Sequence, residues 1–215
     1  MKPGKKEPFC LHYEAQIADL VKEMGLQQGE IVADAACGRR ARFQPWIESL
    51  GYSYVGIDRE IPEGSGSVHR FDLNEGFPEI RFDHLICINS LQVFEKPHEF
   101  LRHMAGALRK GGKILLTLPN CRSFHYRLWR RMDRFVYHGN SFVNGLSEQD
   151  VVDFLEQNGF RLEKKGGVMA FPNQLGLASP LFLQRMWVRT DRWLANQFKG
   201  SLKRYSYTYF IAQKI

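Results

Sequence analysis

Asp34 and Asp58 each close a short apolar segment, and they lie 24 residues apart. A carboxylate at the end of the second strand of a strand–helix–strand unit can accept hydrogen bonds from both hydroxyls of a ribose, which suits an adenosine ligand. The loop after Asp34 reads Ala35-Ala36-Cys37-Gly38-Arg39-Arg40. Small residues there let the backbone approach a ligand closely, and the helix that follows offers free N–H groups. The same run also reads as an ordinary strand–turn–helix with a structural Gly38. It is not a phosphate loop, because no G-K-[ST] follows, and it is not the dinucleotide pattern G-x-G-x-x-G. Asp72 follows a third, weaker apolar segment. Its carboxylate could accept from an adenine amino group while Leu73 covers the ring; a turn-capping Asp is the competing reading.

The elements that must hold these residues follow from apolar periodicity, which switches repeatedly between helical and strand spacing. Tyr13, Ile17, Leu20, Val21 and Met24 share one face of a helix expected over 13–25. Strands are expected at Ile31 to Asp34, Tyr54 to Asp58, Val68 to Phe71, Phe82 to Asn89, Lys113 to Leu118, Phe160 to Lys165 and Arg204 to Lys214. Helices fill the gaps: about 41–50, stopped by Gly51; one opened by Pro97 and ended by Gly111 and Gly112; and 148–158, where Ser147 and Asp150 form a capping-box pattern. Such alternation predicts an α/β fold: a doubly wound, mostly parallel, Rossmann-like sheet of about seven strands. Two stretches, about 120–145 and 168–203, break the pattern and read as late helical insertions on a single domain spanning 1–215. In a doubly wound sheet such insertions tend to lie over the carboxyl ends of the strands, where ligands bind.

Composition narrows the classes of function. The 215 residues are 44% hydrophobic, enough for a packed core. Cys10, Cys37, Cys87 and Cys121 form no C-x-x-C pair, so neither a zinc site nor a disulfide scaffold is expected, and no metal is assigned. The segment MKPGKKEPFC has no apolar stretch behind it, and no apolar run reaches the roughly 20 residues of a membrane span. A reduced, cytoplasmic protein is the expectation. The formal net charge of +7 admits nucleic acid, an anionic membrane surface or an acidic substrate as partner.

The segments IVADAACGRRARF, YVGIDRE, HRFDLNEGFP and FDHLICINSLQVFEKPHEFLRHMAGALRKGGKILLTLPN occur in that order. With them, residues 10–165 resemble the class I S-adenosylmethionine-dependent methyltransferases, and most of all the ubiquinone-biosynthesis and methionine-W type group. The resemblance implies methyl transfer from S-adenosylmethionine, with Asp34, Ala35, Ala36, Cys37 and Gly38 along the methionine and sugar side of that cofactor. It also implies that Asp58 takes the ribose hydroxyls, with Arg59 beside the adenine, that Asp72 and Leu73 hold the adenine, and that Asn89 lines the reaction centre. The usual loop of this family is D-x-G-x-G-x-G. Here Ala36 and Arg40 stand at the first and third glycines, and Gln92-Val93 stands where the group often has Glu-His.

The late segments bear on the acceptor. Residues 120–145 hold five Arg and one Asp, and residues 185–215 hold seven Lys or Arg and one Asp, so the rest of the chain is slightly acidic. Arg127, Arg130, Arg131 and Arg134 interleave with Phe124, Leu128, Met132 and Phe135 at helical spacing. An amphipathic lid with a solvated basic face fits this, and so does a nucleic-acid surface. Leu183, Met186, Trp187, Thr190, Leu194 and Phe198 make a second stripe, suited to core packing or to peripheral contact with a membrane. His125 and His138 lie where this family meets its acceptor, with His138 the candidate general base. The expectation is methyl transfer to a small or lipid-linked anionic acceptor. A catalytically inactive methyltransferase-like partner domain and an RNA methyltransferase are the alternatives.

Overall fold

A computed structural model describes residues 11–61, 66–120, 122–123, 146–168 and 205–215, together with helical positions 183, 186, 189, 190 and 193. Seven strands form one sheet: β1 (Ile31–Ala35), β2 (Ser53–Asp58), β3 (Val68–Arg70), β4 (Phe82–Ile88), β5 (Leu108–Pro119), β6 (Phe160–Val168) and β7 (Tyr207–Lys214). Their spatial order is β3-β2-β1-β4-β5-β7-β6. All neighbours are parallel except at β7, which is antiparallel to both β5 and β6. The strand order reverses between β1 and β4, so the carboxyl ends of those strands open a crevice there. The mostly parallel, doubly wound sheet expected from the sequence is therefore the observed architecture.

Four helices cover the two faces: α1 (Leu11–Glu23), α2 (Gln44–Ser49), α3 (Pro97–Ala107) and α4 (Glu148–Gln157). Side-chain alternation along the strands sorts the core into two layers. Ala33, Ala35, Leu85, Leu116, Phe210 and Ala212 pack with Phe100, Leu101, Met104, Val151 and Phe154 from α3 and α4. Val32, Ile86, Leu115, Tyr207, Tyr209 and Ile211 pack with Ile17, Val21, Met24 and Ile47 from α1 and α2. Strand β4 is buried almost throughout, as a strand with helices on both faces must be.

Several boundaries differ from the sequence expectation, α1 running Leu11–Glu23, β5 starting at Leu108 and β7 at Tyr207; three further shifts have a visible cause or consequence. Helix α2 begins at Gln44, because residues 38–43 form turns and Ala41 takes a φ of 42°. Helix α3 stops at Ala107, and residues 109–112 loop out, so Phe82 pairs with Leu108 while His84 pairs with Lys113. Gly112 is needed there: a Cβ would run into the carbonyl oxygen of Asp83. Strand β6 runs on to Val168 rather than ending at Lys165. The capping box forms as read: Ser147 Oγ accepts from Asp150 N at 3.2 Å, and Asp150 Oδ2 accepts from Ser147 N at 2.7 Å. Ser147→Ala removes one of these acceptors, so thermal unfolding should show a loss of about 1 kcal/mol.

Most of the two late insertions lies outside the described residues, and so do His125, His138 and the arginines 127–134. Their points of attachment are described. β5 and β6 both run toward the same edge of the sheet, and β7 starts from it. The chain thus leaves for both insertions at the carboxyl edge of the strands, after Pro119 and after Val168. Among the described residues no helix is long and apolar enough to cross a membrane.

Candidate functional site

A cavity of about 340 Å³ opens at the switch point between β1 and β4. Its lining includes Ala36, Gly38, Asp58, Arg59, Asp72, Leu73 and Asn89, all of which the sequence had singled out. They come from four separate segments: the loop after β1, the end of β2, the turn after β3 and the end of β4. Its size is in the range of small-molecule sites.

The loop after β1 keeps a left-handed path despite the alanine. Ala36 has a φ of 60° and Gly38 one of 72°. For Ala36 this conformation costs roughly 1 kcal/mol. It is held because Ala36 N donates to the Ile57 carbonyl at 2.8 Å and the Ala36 carbonyl accepts from Ser90 Oγ at 3.3 Å. Arg40 lies in the turns that precede α2, exposed, and so stands outside the first turn of that helix. Arg39 is drawn away to the surface by Glu60, at 2.9 Å.

Asp58 ties this loop to β2. Its Oδ2 accepts from Gly38 N at 2.9 Å, and its Oδ1 accepts from Glu60 N at 2.8 Å. Each oxygen keeps a further lone pair for a ligand facing the cavity. Asp72 caps its own turn by accepting from Asn74 N and Nδ2, which holds its carboxyl below the usual carboxylate range. Arg59 lies 3.8 Å from it. Both readings of Asp72 thus coexist: a turn cap that also lines the cavity. Leu73 is 3% exposed and gives an apolar wall, extended by Phe94 stacked on Phe100 at 3.8 Å.

Asn89 holds the other end. Its φ is 52°, a conformation Asn tolerates better than most residues. A network fixes it: Asn89 N donates to Thr117 Oγ1 at 2.9 Å, Thr117 Oγ1 donates to Asn89 Oδ1 at 3.0 Å, and Asn89 Nδ2 donates to the Tyr13 hydroxyl at 2.6 Å. Gln92 Nε2 donates to the Asn89 carbonyl at 2.6 Å, so Gln92 braces this turn from the position where Glu-His is usual.

The side chains of Asp34, Ala35 and Cys37 stand behind the cavity and are absent from its lining. Ala35 points into the α3–α4 layer. Asp34, 1% exposed, points the opposite way and accepts from the Tyr54 hydroxyl at 2.9 Å. Burial pushes its carboxyl up to about 7, Tyr54 pulls it back, and the charge of Asp58 adds to the rise. Cys37 packs over Gly56, where a Cβ would come within 2.9 Å of the sulfur. Burial, and then Asp34, push its thiol up to about 12. At neutral pH it is an unreactive thiol.

The cavity also uses residues that the sequence did not assign to the site: Glu60, Phe71, Asn74, Ser90, Val93 and Phe94, of which only Val93 had been noted, as a departure from the family pattern. Each adjoins or closely follows a marked residue, which was the available signal. Among the described residues no group of three His, Cys, Asp or Glu could hold a metal ion.

Comparison with known proteins agrees with this geometry. The family described as "Methyltransferase domain" matches residues 10–165. An uncharacterised protein of Methanocaldococcus jannaschii is 25% identical over 159 residues, which is 66% of this chain and 43% of that protein. The chain thus spans less than half the length of that relative. Magnesium protoporphyrin IX methyltransferase from Synechocystis PCC 6803, solved with bound SAH, superposes with a TM-score of 0.60 at 14% identity, over 94% of this chain and 82% of that one. An S-adenosylmethionine-dependent methyltransferase from Mesorhizobium loti gives 0.61 at 18% identity, over 91% and 96%. The family match covers well over half the sequence, and the sheet superposes on those of solved methyltransferases: the chain belongs to the methyltransferase domain family and has the fold of the class I S-adenosylmethionine-dependent enzymes.

Proposed function

We propose that the cavity binds S-adenosylmethionine and that the protein transfers its methyl group to a small or lipid-linked, anionic acceptor. The observation that carries this reading is the Asp58 carboxylate, held by Gly38 N at the end of β2 and facing the cavity between Asp72 and Asn89. The donor set fits the cofactor: a carboxylate for a diol, an apolar wall at Leu73 and Phe94 for a base, and polar groups at Asn89 and Ser90 beyond them. When bound, the cofactor supplies a methyl group already activated as a sulfonium.

The protein's share of the chemistry is then mainly alignment and exclusion of water, which can supply much of such a rate enhancement. Asp58 and Leu73 fix the nucleoside end. Asn89, rigid in its network with Thr117 and Tyr13, fixes the wall where the acceptor enters. A general base is needed only for an acceptor that must first lose a proton, and His138 is our candidate for it. The basic insertions attach at this edge of the sheet, which supports their serving as the acceptor cover on a single-domain chain. Their arginines favour an anionic acceptor.

Titration calorimetry with S-adenosylhomocysteine tests the reading. We expect binding in the micromolar range, the usual scale of enzyme ligands. No detectable heat at physiological cofactor concentration, with the protein folded, would favour an inactive partner domain instead.

A further inference from the structure

Glu14 is the feature that the proposed function has not used. It is 1% exposed, and neither carboxylate oxygen has a hydrogen-bond partner among the described residues. Buried carboxylates are nearly always paired, because an unpaired one costs several kcal/mol. The sequence places Glu14 three residues before Ile17 and seven before Val21, so it lies on the inward stripe of α1. The position is the one apolar residues fill lower on that helix, and a Leu or Met would pack there at no electrostatic cost. The charge of Arg42 is felt at Glu14, with no hydrogen bond to either of its oxygens.

Its location in the fold is informative. Tyr13, one residue earlier, reaches Asn89 Nδ2 at 2.6 Å, and Asn89 lines the cavity. The first turn of α1 therefore stands at the carboxyl edge of the sheet, beside Asn89; Glu14 itself lies behind the residues that line the cavity. Tyr13 also packs edge-on against Phe43, and Arg42 acts on Glu14, so the segment that begins with Ala36 and Gly38 of the cavity lining runs on past this turn. If the nucleoside occupies the Asp58–Asp72 end, the amino-acid end of S-adenosylmethionine extends toward Ala36, Asn89 and this turn. That end carries an α-ammonium, which needs an anion.

We propose that Glu14 is the counter-ion for the α-ammonium of the cofactor's amino-acid end. The inference rests on the proposed function and goes beyond it by assigning the cofactor's charged end to a residue of α1. It also accounts for the missing partner: the carboxyl group has no hydrogen-bond partner in the free protein and gains one, as the carboxylate, in the complex. Such an arrangement makes the free protein less stable than it could be, as binding sites often do.

The test compares two ligands by calorimetry, S-adenosylhomocysteine and 5′-methylthioadenosine, which keeps the nucleoside and lacks the amino acid. For Glu14→Gln we expect S-adenosylhomocysteine to bind about tenfold more weakly, the scale of a charge-assisted hydrogen bond, with methylthioadenosine unchanged. Glu14→Asp, which keeps the charge, should recover part of the loss. The ligand-free Gln variant should melt at or above the wild type. Equal affinities of wild type and Gln variant for both ligands would overturn the assignment. So would an equal loss for both ligands together with a lower melting temperature, which marks a structural Glu14. A wild-type protein that binds neither ligand overturns the cofactor reading itself, and that outcome is distinct from failure of the Glu14 assignment alone.

Discussion

Asp58→Ala should weaken S-adenosylhomocysteine binding by roughly 100-fold or more. Two effects add. On the proposed function the carboxylate accepts from two ribose hydroxyls, and a hydrogen bond to a charged acceptor contributes about 1.5–3 kcal/mol. It also holds Gly38 N at 2.9 Å and Glu60 N at 2.8 Å, so its loss frees the loop that forms the cavity floor. Together these amount to about 3–5 kcal/mol, and each 1.4 kcal/mol is tenfold in affinity. The two contributions separate experimentally. Wild type should prefer S-adenosylhomocysteine over its 2′-deoxy analogue by about tenfold, and Asp58→Ala should have lost most of that preference. If the variant binds weakly yet still discriminates between the two, Asp58 only braces the loop and the ribose lies elsewhere. Circular dichroism should remain that of wild type, because Asp58 is at a strand end and outside the core.

The cavity was legible in the sequence where chemistry sits at strand ends. Asp58, Asp72 and Asn89 each close or follow an apolar run, and local spacing alone puts them on one edge of a parallel sheet. What spacing did not show was which way each side chain turns. Asp34 and Ala35 are adjacent, so strand alternation must send them to opposite layers; neither faces the cavity, because the loop turns into it only at Ala36. Cys37 turns onto Gly56, a contact between residues of different strands that no local pattern records. Glu14 is the opposite case. Its inward position followed from the periodicity of Ile17, Val21 and Met24, but a polar residue at the end of an apolar stripe reads as the boundary of that stripe. Its burial comes from tertiary packing. The helix boundaries at α2 and α3 shifted for a related reason: positive φ at Ala41 and at Gly111 ends or delays regular structure at places where residue type alone gave a different limit.

Asp34→Asn should remove the pH dependence of stability that the wild-type residue imposes. The carboxyl is pushed from 3.8 up to about 7 in the folded protein, chiefly by burial, whereas in the unfolded chain it has its ordinary value. The folded state therefore holds a proton through the window from about 4 to 7 that the unfolded state gives up. Stability from this group is full below about 4 and is lost as pH rises to about 7, with a total near 4 kcal/mol at 1.36 kcal/mol per pH unit. Glu14, raised by burial from 4.5 to about 7, slopes the same way. Asn at position 34 keeps an acceptor for the Tyr54 hydroxyl and carries no charge to desolvate. Urea unfolding of the variant should therefore show a flatter profile between pH 5 and 8. The variant should be more stable than wild type at pH 8, by about 2 kcal/mol after the cost of an imperfectly paired amide, and level with it or below it at pH 5. Glu14→Gln should flatten the profile by its own share, and the two changes should add if the groups titrate independently. Parallel profiles for wild type and Asp34→Asn would mean that Asp34 stays ionised in the fold. Its hydrogen bond from Tyr54 would then be charge-assisted, and removing the charge would destabilise the protein at pH 8 instead.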